Sequence, residues 1–238
     1  MTEILSKTIR IRSEHADVNR NLRPSALFLF LQEIALDHST VLGLGTDATL
    51  HKNLLWVVTR YHVEIERMPR YEETVVLETW PGPMRRVLFP RYFRMRTEGG
   101  EPLLRASSVW VLIDGVERKM ISPKQYGLSE VEGLTEGDEL PYNVPAPVIE
   151  PMRTETFTVP YSYLDLNGHM NNTRYFDLCE DLIADEREGL RLSAIYAEYQ
   201  NEARYKDTLS VAIGRRDDTF LFTGAAGHPC FRIGLQYH

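Results

Sequence analysis

The stretch Tyr163-Leu-Asp-Leu-Asn-Gly-His-Met-Asn-Asn-Thr-Arg-Tyr-Phe176 decides how the rest of this chain is read. Its first half alternates polar and apolar residues. If residues 163–169 are extended, the alternation sends Asp165, Asn167 and His169 to one side and Leu164 and Leu166 to the other. Downstream, Asn171, Asn172 or Thr173 can cap a helix in which Tyr175, Leu178, Cys179, Leu182 and Ile183 keep the i, i+3, i+4, i+7, i+8 spacing of one buried stripe. An imidazole then stands beside a helix N-terminus. Unpaired N–H groups and the positive end of the helix dipole suit that place to polarising a carbonyl or holding an oxyanion.

The stretch occurs twice. Asp17, Asn19, Asn21, Leu27, Phe28 and Glu33 precede Asp165, Asn167, His169, Tyr175, Phe176 and Asp181 at one constant offset. The first copy has Asn21 where the second has His169, so the good general acid or base is confined to the C-terminal half. One half is read as catalytic and the other as structural. A second echo, Arg70-Tyr-Glu-Glu-Thr-Val75 against Arg204-Tyr-Lys-Asp-Thr-Leu209, follows each helix where a long strand turns into the next. Each half thus reads as one long helix followed by several strands.

A chain of 238 residues, 43% hydrophobic and 26% charged, has the core of one large or two medium globular domains. No run reaches the ~18 apolar residues of a membrane helix, and residues 1–12 lack a signal or transit pattern, so a cytoplasmic location is expected. A net charge of −7 argues against nucleic acid as a partner. Cys179 and Cys230 form neither a disulfide framework nor a metal-ligand spacing, and both read as reduced core residues.

In chain order, residues 7–12 read as a first strand and Pro24 as the first turn of a helix striped by Leu27, Phe30, Leu31, Ile34 and Ala35. Residues 54–80 hold two long antiparallel strands around a turn at Met68-Pro69-Arg70, and residues 87–97 and 103–113 form a hairpin. Between residues 122 and 154 the pattern decays into Pro123, Pro141, Pro145, Pro147 and Pro151, with an acidic run from Glu130 to Glu139. Strands at 192–203, 208–215, 218–225 and 230–236 close the second half. The class is α+β.

Asp165-Leu-Asn-Gly-His-Met-Asn-Asn-Thr-Arg-Tyr175 resembles the Asp-x-Asn-x-His-x-Asn-Asn-x-x-Tyr loop of the acyl-acyl-carrier-protein thioesterases of plant plastids and bacteria. Leu31-Gln-Glu33, Leu55-Trp-Val57, Glu78-Thr-Trp80 and Ser108-Val-Trp-Val111 are similar to that family as well, so the likeness covers nearly the whole chain. It implies two tandem hotdog domains, each a long helix wrapped by a curved antiparallel sheet: residues 1–128, a linker at 129–152, and residues 153–238 carrying catalysis. It also implies that Glu202 activates a water or attacks the thioester itself. Asp165 would orient His169, His169 would act as acid or water-orienting group, and Asn167 would contact carbonyl or water. The family's Glu-Cys pair is Glu202-Ala203 here, which removes a cysteine nucleophile because a methyl group cannot serve as one.

Standing alone, His169 would read as a cap or surface residue and Glu202 as a solvated strand residue; their shared setting is what singles them out. Asn171 and Asn172 are caps first and substrate contacts second. Residues 84–97 carry Arg85, Arg86, Arg91, Arg94 and Arg96 without an acid, a candidate dock for a phosphopantetheine arm or an acidic carrier, or else a charged outer strand face. The resemblance gives the N-terminal half the acyl chain, with Gln32 and Trp56 among the candidate lining residues and core packing as their other explanation. The expected protein is a hydrolase without metal or cofactor, monomer or homodimer, releasing free fatty acid from acyl carrier protein. An acyl-CoA thioesterase, a hotdog dehydratase and a non-catalytic acyl- or carrier-binding module are the alternatives.

Overall fold

The apolar stripe beginning at Pro24 forms helix α1, Pro24–Val41, in the computed structural model, which describes residues 3–122 and 132–238. Proline suits this first turn because the missing N–H has no partner there in any helix. Leu27, Phe28 and Leu31 on its inner face are fully buried. The N-terminal half adds β1 (Leu5–Arg10), α2 (Thr46–Leu50), β2 (Leu54–Ile65), β3 (Thr74–Pro81), β4 (Phe89–Thr97), β5 (Pro102–Asp114) and β6 (Met120–Ile121). The C-terminal half holds β7 (Arg153–Thr158), α3 (Arg174–Leu182), β8 (Leu192–Tyr199), β9 (Thr208–Arg216), β10 (Thr219–Ala225) and β11 (Pro229–Tyr237).

All strands belong to one antiparallel sheet in the order β1-β3-β4-β5-β2-β8-β11-β10-β9-β7, with β6 on β5. The halves mirror one another and join where β2 pairs β8, from Arg60 opposite Glu198 to Glu64 opposite Ala194. Their cores also join. Phe28 of α1 and Phe176 of α3, equivalent residues of the two copies, are fully buried and stack with ring centroids 3.9 Å apart. Each such aromatic stabilises the fold by roughly 2–3 kcal/mol through the apolar surface it removes from water.

The structure departs from the sequence reading in four places. First, α3 has 9 residues against 18 in α1. The chain beyond Ile183, Ala-Asp-Glu-Arg-Glu-Gly189, offers no apolar face, and the backbone turns away through Gly189 at φ +77°. Second, Thr173 starts α3 without a cap bond from its own side chain; Asn171 Oδ1 accepts from both Thr173 N–H and Thr173 Oγ1, each at 2.9 Å.

Third, β8 ends at Tyr199 rather than running through Glu202. Cys230 O accepts from both Gln200 N–H (2.8 Å) and Asn201 N–H (3.3 Å), a two-against-one irregularity that lifts the following residues out of the sheet. Fourth, the described part of the expected linker, residues 132–152, is a strap laid on the face of the sheet opposite the helices. Ser107 Oγ donates to Pro141 O, Arg232 Nη2 to Pro147 O, and Ala146 N–H to the buried Glu198 carboxylate. Leu140 and Ala146 of the strap are themselves buried. The prolines excluded regular structure, yet the carbonyls they leave free became acceptors for the sheet. Pro123, Glu130 and the expected boundary at 128/129 lie outside the described residues.

Candidate active site

Residues 163–170 are a closed turn, not an extended strand. A 3-10 turn over Tyr161–Tyr163 leads to Leu164, which pairs with Met170, and the loop between them is tied by Asp165. The Asp165 carboxylate accepts from Asn167 N–H (2.8 Å) and His169 N–H (3.3 Å), while Asp165 N–H donates to His169 O (2.8 Å). A short polar side chain competing for nearby backbone N–H groups produces this local closure. Asp165 therefore orients His169 through its backbone, not through the ring. Gly168 takes φ +77°, the left-handed conformation that glycine adopts without steric cost.

The first copy folds the same way. Asp17 accepts from Asn19 N–H (2.9 Å) and Asn21 N–H (2.8 Å), Ala16 pairs with Leu22, and Arg20 takes the left-handed position at φ +64°. Each loop is pinned to the echoed turn of its own half, Asn21 to Arg70 and His169 to Arg204. Those turns are closed alike: Glu73 accepts from Arg70 N–H (2.9 Å) and Asp207 from Arg204 N–H (2.8 Å). Glu202, two residues before Arg204, thus corresponds to Met68.

The pairing of His169 with Arg204, with Met170 N–H donating to Ala203 O at 2.7 Å, carries the loop onto the turn after β8. His169 Nε2 there lies 3.0 Å from Glu202 Oε2. The other oxygen, Oε1, is 3.0 Å from Arg118 Nη1, which arrives from the turn between β5 and β6 of the other half. Sequence reasoning missed Arg118, since only the β2 to β8 junction reveals that the turn reaches this carboxylate. Asn167, His169, Glu202 and Arg118 share one cavity, walled on its apolar side by Val57 and Ile113 and by Tyr175 of α3. The first amides of α3 are largely spoken for, because Thr173 N–H, Arg174 N–H and Phe176 N–H bond to Asn171 and Thr173. The oxyanion role expected of that helix start therefore has few free backbone donors to rest on.

Other expected residues are distributed differently. Asn172 reaches the cavity, and its carbonyl accepts from Tyr199 Oη at 3.2 Å; the Asn171 side-chain oxygen is held by Thr173. Trp56 lines a separate, apolar cavity with Leu44, Phe89 and Trp110, and its indole N–H donates to Leu44 O at 2.9 Å. Gln32 is half-buried on α1 and lies beside the Tyr61 hydroxyl.

The cationic run at 84–97 is dismantled by the fold. Arg91 is buried at 7% exposure, with Nη1 3.1 Å from His38 Nδ1, so it cannot dock a carrier. Burial without a carboxylate pushes its guanidinium down to about 10, and burial beside it pushes His38 down to about 4. Arg94 and Arg96 both pair with Glu78, at 2.6 and 3.2 Å. Arg85 and Arg86 stand exposed in the loop between β3 and β4, and among the described residues neither side chain has a hydrogen-bond or ion-pair partner.

Comparison with known proteins bears on the chain as a whole. The family model described as the acyl-ACP thioesterase N-terminal domain matches residues 3–125, and that of the C-terminal domain matches residues 148–222. The palmitoyl-acyl carrier protein thioesterase of Gossypium hirsutum chloroplasts is 29% identical over 215 residues, covering 84% of this chain and 52% of its own length. The dodecanoyl-[acyl-carrier-protein] hydrolase of Cinnamomum camphora chloroplasts is 28% identical over 228 residues, covering 87% of this chain and 58% of its own. The chain thus spans about half the length of the curated relatives it matches. Among solved structures, an acyl-ACP thioesterase from Bacteroides thetaiotaomicron superposes with a TM-score of 0.84 at 24% identity, covering 99% of this chain and 98% of that one. The 12:0-ACP thioesterase of Umbellularia californica gives 0.82 at 23%, covering 99% and 97%. These likenesses establish the double hotdog fold, and with both halves matched in order by their family models, the chain belongs to the acyl-ACP thioesterase family.

Proposed function

We propose that this chain hydrolyses fatty acyl thioesters of acyl carrier protein to free fatty acid and carrier, with Glu202 and His169 as its catalytic pair. The observation that carries the reading is the 3.0 Å contact between them on the wall of a cavity with an apolar side. Glu202 takes a proton from a water, whose oxygen attacks the thioester carbonyl carbon. The carbon–sulfur bond breaks, and the leaving thiolate takes a proton from imidazolium His169. The proton held by Glu202 then returns to His169 across their contact, restoring the starting state. In this reading Asn167, which lines the same cavity, donates to the carbonyl oxygen as it gains charge.

Family membership supports the carrier-bound substrate, and Arg85 and Arg86 are the exposed cations offered to an acidic carrier. Two free thiols, Cys179 and Cys230, fit a reducing compartment, for which the cytoplasm is proposed. No described helix is long and apolar enough to cross a membrane.

Steady-state hydrolysis of acyl-carrier protein by Glu202→Gln tests the mechanism. A loss of about 10²- to 10⁴-fold in kcat with an unchanged melting temperature is expected for a general base. Full turnover would remove Glu202 from the reaction, and a kcat/KM for acyl-CoA above that for the carrier-bound chain would reassign the substrate.

A further inference from the structure

We infer that Arg118 is a positioning residue for the reaction, holding the Glu202 carboxylate in the orientation its chemistry needs; this rests on Glu202 being the base. Glu202 sits on a turn rather than a strand, its side chain 39% exposed, so the backbone alone leaves three side-chain torsions free. Two contacts remove that freedom. Oε2 meets His169 Nε2 at 3.0 Å and Oε1 meets Arg118 Nη1 at 3.0 Å, fixing the carboxylate plane from both ends.

The turn that carries Arg118 is tied by its own hydrogen bonds. Leu112 and Ile113 of β5 pair with Ile121 and Met120 of β6, and the turn between them is closed by Asp114, whose carboxylate accepts from Val116 N–H (2.8 Å) and Glu117 N–H (2.9 Å). Arg118 N–H donates to Asp114 O at 2.8 Å, and the residue takes φ +57°, a conformation that turns the chain back at this point. Arg118 lines both of the adjoining cavities that Asn167, His169 and Glu202 also line. An exposed ion pair contributes little to stability in general. This one ties a turn of the N-terminal half to the acid of the C-terminal half, so its consequence is geometric. It gives the half without an acid or base of its own a direct part in the site.

The experiment uses the whole chain and acyl-carrier protein, comparing Arg118→Ala, Arg118→Lys, Glu202→Gln and the double variant Arg118→Ala with Glu202→Gln. Loss of orientation should lower kcat by about 10- to 100-fold in Arg118→Ala, with KM within about twofold and the melting temperature unchanged. Arg118→Lys should recover part of kcat, because an ammonium can still meet one oxygen. In the Glu202→Gln background, removal of Arg118 should cost nothing further. A normal kcat in Arg118→Ala, an effect on KM alone, or the same fold loss with and without Glu202 would each overturn the inference. The two readings fail separately. Full activity of Glu202→Gln sinks the catalytic assignment and this inference with it, whereas an inactive Glu202→Gln beside a fully active Arg118→Ala sinks only the role given to Arg118.

Discussion

Asp165 is the residue whose role changed most between sequence and structure, and its twin Asp17 supplies a control within the same chain. Each carboxylate accepts two backbone N–H groups of its own loop, at 2.8 and 3.3 Å for Asp165 and at 2.9 and 2.8 Å for Asp17. A hydrogen bond to a charged acceptor contributes roughly 1.5–3 kcal/mol, and half-exposure puts these at the lower end. Asp165→Ala and Asp17→Ala should therefore each destabilise the fold by about 2–3 kcal/mol, a fall of roughly 5–10 °C in Tm at this chain length. Only Asp165→Ala should also lower turnover, because only its loop carries His169. Asp165→Asn is the deciding variant. Its amide oxygen can still accept both N–H groups, so stability and kcat should stay near those of the parent. Thermal denaturation and hydrolysis of acyl-carrier protein, measured on all three variants, read both quantities. If Asp165→Asn were as inactive as Glu202→Gln while fully folded, its negative charge would matter to the chemistry, and the backbone-tie account would be wrong.

Two further outcomes follow from burial and charge. Glu180, nearly enclosed beside Arg187 and near Asp17 and Asp177, is pushed up to about 7, chiefly by burial. A carboxyl raised in the folded state leaves stability intact below its unfolded value near 4.5 and withdraws it as pH climbs towards 7. Glu180→Gln should accordingly flatten the pH dependence of unfolding free energy between pH 4 and 8 by about 3 kcal/mol, as read by urea titration, and an unchanged slope would contradict the raised value. Charge reversal separates the arginines that the sequence grouped together. Arg85→Glu with Arg86→Glu should raise KM for the carrier-bound substrate at constant Tm, whereas Arg91→Glu, placing an anion in a buried site, should lower Tm and leave the KM of whatever folds unchanged.

How much of this was legible in the sequence depended on the range of the interactions involved. Periodicity located α1, α3 and most strands and missed the short α2 and β6, because an apolar stripe is a local property that only a longer element displays. The duplication was legible too, and it reached further than the alternation did. The alternating polar run suggested an extended segment, yet Asp at the head of each run closes its loop onto the next few N–H groups, a local competition that period-2 counting does not register. Arg91 read as a surface cation because a strand of alternating arginines resembles a solvated face; which face the sheet buries was decided by α1, whose His38 packs on it. The strap at 132–152 read as a linker because its prolines forbid ladders, while its carbonyls found partners on strands distant in the chain. Arg118 had no local signal at all, since its partner lies across the junction of the halves.

That junction also sets two similarly folded loops in different surroundings. The pairing of β2 with β8 relates the halves so that each loop faces strand ends of the other half. The C-terminal loop faces Val57 and Val58, an apolar wall. The N-terminal loop faces Arg191, Leu192 and Tyr237, with Glu180 and Arg187 beside them, a polar surround that an alkyl chain would not enter without displacing water from charged groups. Asn21 and Met68 stand there in place of His169 and Glu202, so that side lacks both the acid and base and the apolar approach. Retention of the Asp-closed loop on both sides, with the chemistry on one, fits a division in which the loop serves folding and its decoration serves catalysis. Asn21→His with Met68→Glu would then build a pair without a place for its substrate, because the surroundings there are charged.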